Sequence, residues 1–161
     1  MPPVTSLRLA SKPGDGLEAW LTAPRLSNHP VDVGQRSEAA ILAELVRRGH
    51  RVRLPFGTNQ RYDLVIEHDG KFLRCQCKTG RLIDGVVQFR PQSVRSNTST
   101  TVFRSYLGEA ELFLVYCPQN KRIYAVPVES APSSLMYLRV APTRNGQKDR
   151  IQWAKDYELP A

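Results

Sequence analysis

Two runs of strand-forming residues on either side of an Asp-Gly pair limit the folds open to this chain more than any other feature. Residues 62–67 and 71–78 are rich in β-branched, aromatic and aliphatic side chains, and His-Asp-Gly at 68–70 lies between them. An Asp-Gly pair between two such runs is a strong short-range signal for a β-hairpin. The sequence therefore predicts two antiparallel strands joined by a tight turn.

Alternation along the second predicted strand brings three polar side chains together. Successive side chains of a strand point to opposite faces, so Gln76 and Lys78 share a face that Cys77 does not. Pairing the two strands across the Asp-Gly turn places Asp63 close to Gln76 and Lys78. A carboxylate, an amide and an ammonium group are thus predicted to converge at one end of the hairpin.

The pattern of Asp63, Gln76 and Lys78 resembles the motif of the PD-(D/E)XK nuclease superfamily. This resemblance implies that Asp63 and Gln76 hold a divalent metal ion, together with the main-chain carbonyl of Cys77. It also implies that Lys78 orients or deprotonates the attacking water, or neutralises charge on the phosphate. Glu is expected in place of Gln76, and the Gln-x-Lys form is similar to that of group I intron-encoded homing endonucleases. The alternative is a plain surface hairpin with an Asp at a strand entry, because the motif is short.

Residues 34–49 contain the clearest predicted helix. They include strong helix formers, two arginines in the last turn, and Gly49 at the position of a C-terminal cap. The predicted apolar stripe is Ile41, Leu42, Leu45 and Val46. Glu38 lies three and four residues before the first two of these, so its carboxylate is predicted to lie on the buried stripe.

Glu38 has two interpretations. A carboxylate in the first turn of a helix suits the helix dipole, so Glu38 can be a capping residue. A carboxylate on a buried stripe instead needs a partner. Beside Asp63 and Lys78, Glu38 resembles the helix glutamate of the homing endonucleases and of the archaeal Holliday junction resolvases. That resemblance implies that Glu38 is a catalytic residue and metal ligand, which supplies directly or through water the negative charge that Gln76 lacks.

The rest of the chain supports one domain of mixed structure. Pro and Gly are frequent in residues 1–33, which predicts an irregular N-terminal arm before a PD-(D/E)XK nuclease domain at 34–161. The polar stretch 95–101 predicts a mobile loop or a set of phosphate contacts. Further strands are predicted at 50–55, 86–89, 112–117, 123–128 and 135–140. The predicted fold class is α/β, a restriction-endonuclease-like core with a mixed central β-sheet flanked by helices, and the resemblance covers residues 34–159.

Positive charge is concentrated on the segment that carries the motif. The chain holds 23 Lys and Arg against 15 Asp and Glu, which leaves a net charge of +8. Residues 36–104 hold 13 basic and 6 acidic side chains and so carry almost all of this surplus. A basic surface of this kind indicates a polyanionic partner, of which nucleic acid is the natural one. The candidate phosphate contacts are Arg36, Arg61, Arg74, Arg81, Arg90, Arg95 and Arg104.

The cysteines and the hydropathy of the chain bear on its compartment. Three cysteines, two of them spaced Cys-x-Cys, fit neither a disulfide framework nor a zinc site. They are interpreted as reduced core thiols of a cytoplasmic protein. The sequence contains no run of 18 apolar residues and no apolar signal core, so neither membrane insertion nor secretion is expected.

Together these features predict a DNA endonuclease of the homing type that depends on Mg²⁺, with Mn²⁺ able to substitute. The predicted partner is double-stranded or branched DNA. Cutting both strands needs two sites, so a homodimer or a dimer of dimers is expected. The alternatives are a Holliday junction resolvase or other structure-specific repair nuclease, a catalytically inactive DNA-binding module of the same fold, and a subunit of a larger restriction or repair assembly.

Overall fold

The computed structural model describes residues 26–57, 59–143, 146 and 149–159, so most of the predicted N-terminal arm lies outside the described residues. The described part contains one α-helix, ten strands and two short 3₁₀ helices. In chain order these are α1 (Pro30–Arg47), β1 (Arg51–Arg53), β2 (Leu64–His68), β3 (Lys71–Thr79), β4 (Arg81–Ile83), β5 (Val86–Phe89), β6 (Ser93–Ser96), β7 (Thr101–Arg104), β8 (Leu112–Cys117), β9 (Arg122–Pro127), the 3₁₀ helix Val128–Ser130, β10 (Met136–Arg139) and the 3₁₀ helix Ala154–Asp156.

A five-stranded mixed sheet in the order β1-β2-β3-β8-β9 forms the centre of the molecule. Strands β3 and β8 are parallel, and the other three neighbouring pairs are antiparallel. A second, antiparallel sheet has the order β10-β5-β4, and β6 and β7 form a separate two-stranded sheet. The predicted α/β class and the mixed central sheet are thus confirmed.

Two apolar cores lie on opposite faces of the central sheet, as the alternation along β8 shows. Leu114 packs in the core beneath α1, while Phe113 and Val115 pack in the core beneath the second sheet. The first core consists of Ile41, Leu45, Leu64, Ile66, Cys75, Leu114 and Ile123. The second core consists of Val87, Phe89, Tyr106, Ala110, Phe113, Val115, Cys117, Tyr124, Val126, Val128, Met136, Leu138 and Ala154. The central sheet is therefore covered by a helix on one face and by a small sheet on the other.

Helix α1 begins at Pro30, four residues before the predicted start at Gly34. His29 is its N-terminal cap, because His29 Nδ1 accepts a hydrogen bond from the N–H of Val31 (3.4 Å). Proline is favoured at the first helical position, where the missing N–H needs no partner. In the described part of the chain, no helix is long and apolar enough to cross a membrane.

The predicted glycine cap at the C-terminus of α1 is confirmed. Gly49 has a positive φ of 81°, which glycine adopts without strain. Its N–H donates to the carbonyl of Val46 (2.9 Å), and the N–H of His50 donates to the carbonyl of Leu45 (3.0 Å). These two bonds are the Schellman pattern, which satisfies carbonyls that the last turn leaves without partners.

The predicted apolar stripe of α1 is only partly correct. Ile41 and Leu45 are fully buried and Leu42 is half-buried, but Val46 is 59% exposed. Ser37 takes the buried position one turn before Ile41. The buried residues are thus spaced four apart, at 37, 41 and 45. This spacing indicates that the helix contacts the sheet along a narrow line.

The predicted β2–β3 hairpin is confirmed, including its turn and register. Asp69 and Gly70 both have positive φ, at 48° and 72°, as a two-residue hairpin turn of the type I′ class requires. His68 pairs with Lys71 next to the turn, and the ladder runs on to Leu64 opposite Cys75. The turn residues thus fix the register on which the position of Asp63 depends.

Two predicted segments differ from the structure in their pairing. Residues 86–89 form a strand as predicted, but β5 lies in the second sheet between β4 and β10. The polar stretch 95–101 contains the tip of the β6–β7 hairpin and the strand residues next to it. Periodicity identifies a strand but not its neighbours, which explains the first difference.

All three cysteines are free thiols. Cys75 and Cys117 are buried and Cys77 is half-buried, in agreement with the prediction of core thiols. Burial raises the pKa of the Cys75 thiol to about 12, so this side chain stays protonated at neutral pH.

We expect Gly80→Ala to destabilise the protein and Gly34→Ala to stabilise it. A Cβ at Gly80 would lie 2.7 Å from Cγ1 of Val87 and 3.1 Å from Cγ1 of Val115, which are both fully buried. Such overpacking typically costs about 1–3 kcal/mol. A Cβ at Gly34, inside α1, has no heavy atom within 4 Å, so alanine there should gain about 0.5–1 kcal/mol. Urea unfolding measures both, and equal changes in the free energy of unfolding would contradict this packing.

Candidate active site

The candidate site lies where β3 extends past the end of β2. Strand β2 begins at Leu64, opposite Cys75, whereas β3 continues to Thr79. The main chain of Cys77 therefore lies on a stretch of the β3 edge that β2 does not cover. On its other side β3 pairs with β8 as far as Thr79, so this end of the strand is held in place.

Asp63 caps the uncovered edge of β3. Its Oδ2 accepts hydrogen bonds from the N–H of Cys77 (2.7 Å) and from Nε2 of Gln76 (2.5 Å). Burial raises the pKa of the Asp63 carboxyl, and the two hydrogen bonds and the positive charge of Lys78 oppose that rise. Asp63, Gln76 and Lys78 are thus brought together, as the hairpin register predicted.

The Gln76 amide directs its nitrogen at the site. Nε2 donates to Asp63 Oδ2 and also lies 3.4 Å from the main-chain carbonyl oxygen of Cys77. The amide nitrogen therefore lies between two oxygen atoms that are themselves candidate cation ligands. A half turn of the amide group would exchange this nitrogen for the amide oxygen, Oε1.

Glu38 lies in the middle of α1 and not in its first turn. The helix begins eight residues earlier at Pro30 and is capped by His29, so Glu38 does not cap it. Its side chain is half-buried, and the pKa of its carboxyl is raised by burial and then by the negative charge of Asp63. The negative charge of Asp63 therefore adds to the effect of burial in keeping the pKa of Glu38 above its ordinary value.

A hydrogen bond between two hydroxyl groups holds α1 against the end of β3. Ser37 is 2% exposed, and its Oγ lies 2.6 Å from Oγ1 of Thr79. Ser37 directly precedes Glu38 in the helix, and Thr79 directly follows Lys78 in the strand. This bond thus holds the part of α1 that carries Glu38 against the end of the strand that carries Lys78. The sequence analysis did not identify Ser37, although Ser37 lies four residues before Ile41 and eight before Leu45, the two apolar residues of the stripe that are fully buried.

Lys78 is held by neighbours that the sequence did not identify. Its Nζ donates to the main-chain carbonyl of Gln92 (3.2 Å) and to the hydroxyl of Tyr106 (3.4 Å). It also lies 4.6 Å from the centroid of the Tyr106 ring. Burial lowers the pKa of Lys78 to about 8, although the charge of Asp63 acts in the opposite direction. No sequence pattern marked Tyr106, which lies in the irregular segment between β7 and β8.

Arg61 lies on the Tyr106 ring beside Lys78 and makes four contacts within the protein. Its Nε forms an ion pair with Glu109 Oε2 (2.5 Å), and its terminal nitrogens donate to Ser93 Oγ and the Ser105 carbonyl (2.9 Å each). Its guanidinium carbon lies 4.1 Å from the centroid of the Tyr106 ring. The structure therefore gives Arg61 an architectural role beside Lys78.

The other six candidate phosphate contacts differ in how far their charges are already compensated. Arg74 pairs with Glu111, and Arg104 pairs with Glu109. Arg36 donates to the carbonyl of Ser27 (2.7 Å). The remaining three are exposed and form no ion pair with the described residues: Arg81, Arg90 and Arg95.

The donor atoms at this site fit a hard divalent cation. Among the described residues, no group of three or more His, Cys, Asp and Glu side chains is placed to hold a metal ion. The site instead offers the carboxylate oxygens of Asp63 and Glu38 and the Cys77 carbonyl, and Gln76 would add an oxygen donor if its amide turned by half a turn. Mg²⁺ and Mn²⁺ prefer such donors, and Mg²⁺ is commonly bound by only one or two carboxylates.

Comparisons with known proteins identify a family and a common fold. Residues 28–160 match the model of a family described as PD-(D/E)XK endonuclease. The solved structure of a bacterial homing endonuclease, I-Ssp6803I, is similar with a TM-score of 0.67 and 21% sequence identity, over 81% of this chain and 88% of that chain. At this identity the similarity shows a common fold. Comparison with curated proteins gave no match. The resemblance inferred from Asp63, Gln76 and Lys78 is confirmed.

Proposed function

The chain belongs to the PD-(D/E)XK endonuclease family, and we propose that it is a metal-dependent enzyme that hydrolyses DNA phosphodiester bonds at the uncovered edge of β3. Family membership supports a nuclease. The observation that supports the proposed centre is the convergence of the Asp63 carboxylate, the Gln76 amide and the Cys77 carbonyl beside half-buried Lys78.

Asp63, Cys77, Gln76 and Glu38 are the residues that would hold the metal ion. When bound there, a divalent cation lowers the pKa of water and offsets negative charge on the phosphate. Asp63 contributes a carboxylate that two N–H donors hold in a fixed orientation. Gln76 must turn its amide so that Oε1 faces the cation. Glu38 contributes the second negative charge. It lies on α1, which covers the face of the sheet opposite to the one that Gln76 and Lys78 share.

Lys78 is proposed to take the proton from the attacking water. A general base is most effective when its pKa lies near the operating pH, and burial brings the pKa of Lys78 to about 8. Gln92 and Tyr106 hold Nζ in place, which keeps the amine oriented without adding a negative charge next to it.

The proposed substrate is duplex DNA that is cut on both strands. The structural neighbour is described as a homing endonuclease, and the surplus of positive charge surrounds the motif. One centre cuts one strand, so a symmetric dimer or dimer of dimers is proposed. A catalytically inactive DNA-binding module is the second candidate, and the Gln76 amide that donates to Asp63 favours it because an amide adds no negative charge for a cation.

A cleavage assay with two substrates tests the proposed activity. Supercoiled plasmid and a synthetic four-way junction are incubated with the protein in Mg²⁺, in Mn²⁺ or in EDTA. We expect nicked and linear plasmid in both metals and intact plasmid in EDTA. Cleavage of the junction alone would support a resolvase instead. Binding to both substrates without cleavage in either metal would support the inactive module.

DNA binding is expected to weaken steeply as salt is added. If six to ten phosphates are contacted, the association constant should fall about 10³-fold to 10⁵-fold between 50 and 200 mM salt. Fluorescence anisotropy of a labelled duplex measures this dependence. An affinity that is insensitive to salt would contradict a binding surface built from arginines.

A further inference from the structure

The β6–β7 hairpin is a two-stranded ribbon that starts at the catalytic site and extends into solvent. Its strands, Ser93–Ser96 and Thr101–Arg104, pair only with each other, and residues 94–105 are all exposed. At its base, the carbonyl of Gln92 accepts the hydrogen bond from Lys78 (3.2 Å). The ribbon is therefore connected directly to the amine at the proposed cleavage centre.

The pairing register divides the ribbon into two faces, because residues directly opposite each other share a face. The face that we call the groove face carries Ser93, Arg95, Val102 and Arg104. The outer face carries Val94, Ser96, Thr101 and Phe103. Ser93 and Arg104 contact the pair formed by Arg61 and Glu109 next to Lys78. The groove face is thus the one that continues the catalytic site.

The chemistry of the ribbon suits a nucleic acid more than a protein partner. Residues 90–105 contain three arginines and no Asp or Glu. The tip is rich in hydroxyl groups, and its shape is fixed by Asn97 Oδ1, which accepts from the N–H of Ser99 (3.2 Å) and of Thr100 (2.8 Å). Hydroxyl and guanidinium groups are the side chains that hydrogen-bond base edges and phosphates.

The outer face offers few apolar side chains for an interface between copies of the chain. It presents Val94 and Phe103 as its apolar pair, and the guanidinium group of Arg90 lies over the Phe103 ring at 5.6 Å. A stable dimer interface typically buries about 800 Å² on each partner. The groove face instead pairs Val102 with Arg95, an apolar side chain with a hydrogen-bond donor. In the major groove, such an apolar side chain can contact a thymine methyl group, and arginine can donate to a neighbouring guanine.

We propose that the β6–β7 hairpin enters the major groove of duplex DNA and reads base pairs beside the cleaved bond through Arg95 and Val102. The major groove, about 12 Å wide, admits a two-stranded ribbon. A ribbon with strands of four residues extends about 13 Å at roughly 3.3 Å per residue, which is enough to reach across base edges from the backbone. This inference rests on the proposed function for its DNA substrate, and it adds the element that gives specificity.

A binding selection tests the hairpin without requiring any bond to be cut. Wild type, Arg95→Ser/Val102→Ser and the matched control Val94→Ser/Phe103→Ser each select duplexes from a randomised library, and the bound DNA is sequenced. We expect a sequence preference in wild type and in the control. In the groove-face variant, we expect discrimination of about 10-fold or more to be lost at one or two adjacent base pairs, with the rest of the preference kept.

Three results would overturn the proposal. In the first, the groove-face variant binds more weakly but keeps every base preference, so that Arg95 contacts only phosphate. In the second, the control variant loses preference or changes its oligomeric state in sedimentation. In the third, wild type selects no sequence at all. Plasmid cleavage is measured separately, so a wild type that selects a sequence and cuts nothing refutes the proposed catalysis and leaves the hairpin inference standing.

Discussion

Lys78→Met is expected to abolish DNA cleavage and to raise the melting temperature of the protein at pH 7. Loss of a general base typically lowers the rate about 10²-fold to 10⁴-fold. The folded-state pKa of about 8 lies below the ordinary 10.5, so at pH 7 the folded protein carries the full cost of a charged amine that is partly removed from water. Methionine removes this cost and keeps an unbranched apolar side chain at this position. Plasmid cleavage and thermal unfolding measure the two effects.

The pH dependence of both quantities follows from the same shift. Between pH 8 and 10.5 the unfolded chain binds the Lys78 proton more tightly than the folded protein does, so the stability of wild type should rise relative to Lys78→Met in this window. Cleavage by wild type should increase with pH and level off near pH 8. Lys78→Arg, which cannot accept a proton, should be as inactive as Lys78→Met. Cleavage that declines through pH 8 would show instead that the charged amine is required.

Gln76→Glu is expected to make the stability of the protein depend on a divalent cation. The Gln76 amide donates to Asp63 Oδ2 at 2.5 Å, and a carboxylate at that place cannot donate when ionised. Two carboxylates in contact repel each other, and one of the two pKa values is strongly raised. Without metal we expect a loss of about 1–3 kcal/mol, equivalent to several degrees in melting temperature. Saturating Mg²⁺ at 100 times Kd should return about 2.7 kcal/mol.

Gln60→Glu is the matched control, because Gln60 is exposed and lies three residues before Asp63. It adds the same charge close to the site without touching the Asp63 carboxylate, so its melting temperature should respond little to Mg²⁺.

Glu38→Gln should weaken Mg²⁺ binding, and adding Gln76→Glu to it should restore part of the lost affinity. If Glu38→Gln matches wild type at every Mg²⁺ concentration, Glu38 is no ligand. If Gln76→Glu is unaffected by Mg²⁺, the ion binds elsewhere.

Local signals in the sequence were sufficient to place Asp63 against Gln76. The Asp-Gly turn fixes the register of the β2–β3 hairpin, and a register fixes every pair along it, down to the end where Asp63 lies. Gly49 identified the end of α1 for a similar reason, because a positive φ is a local requirement. The start of α1 was missed, although Pro30 marks it, since the preceding segment was read as an irregular arm.

Contacts between residues that are distant in the chain could not be predicted from the sequence. Arg61 pairs with Glu109, which is 48 residues away, and Lys78 meets Tyr106 across 28 residues. Hydrophobic periodicity describes neighbouring residues in one element, whereas these contacts depend on how distant segments of the chain pack together. The architectural role of Arg61 and the support of Lys78 by Tyr106 therefore follow only from the three-dimensional arrangement.

Plasmid nicking by wild type and Asp63→Asn, each with Mg²⁺ and with EDTA, tests the proposed centre most directly. Asparagine keeps the size of the side chain and an oxygen that accepts from the Cys77 N–H, but it removes the charge that would hold the cation. We predict that wild type with Mg²⁺ converts supercoiled plasmid to nicked and linear forms. The other three combinations should leave it intact, while Asp63→Asn retains its fold and DNA affinity. Nicking by Asp63→Asn at the wild-type rate, or by wild type in EDTA, would contradict a metal-dependent centre at Asp63.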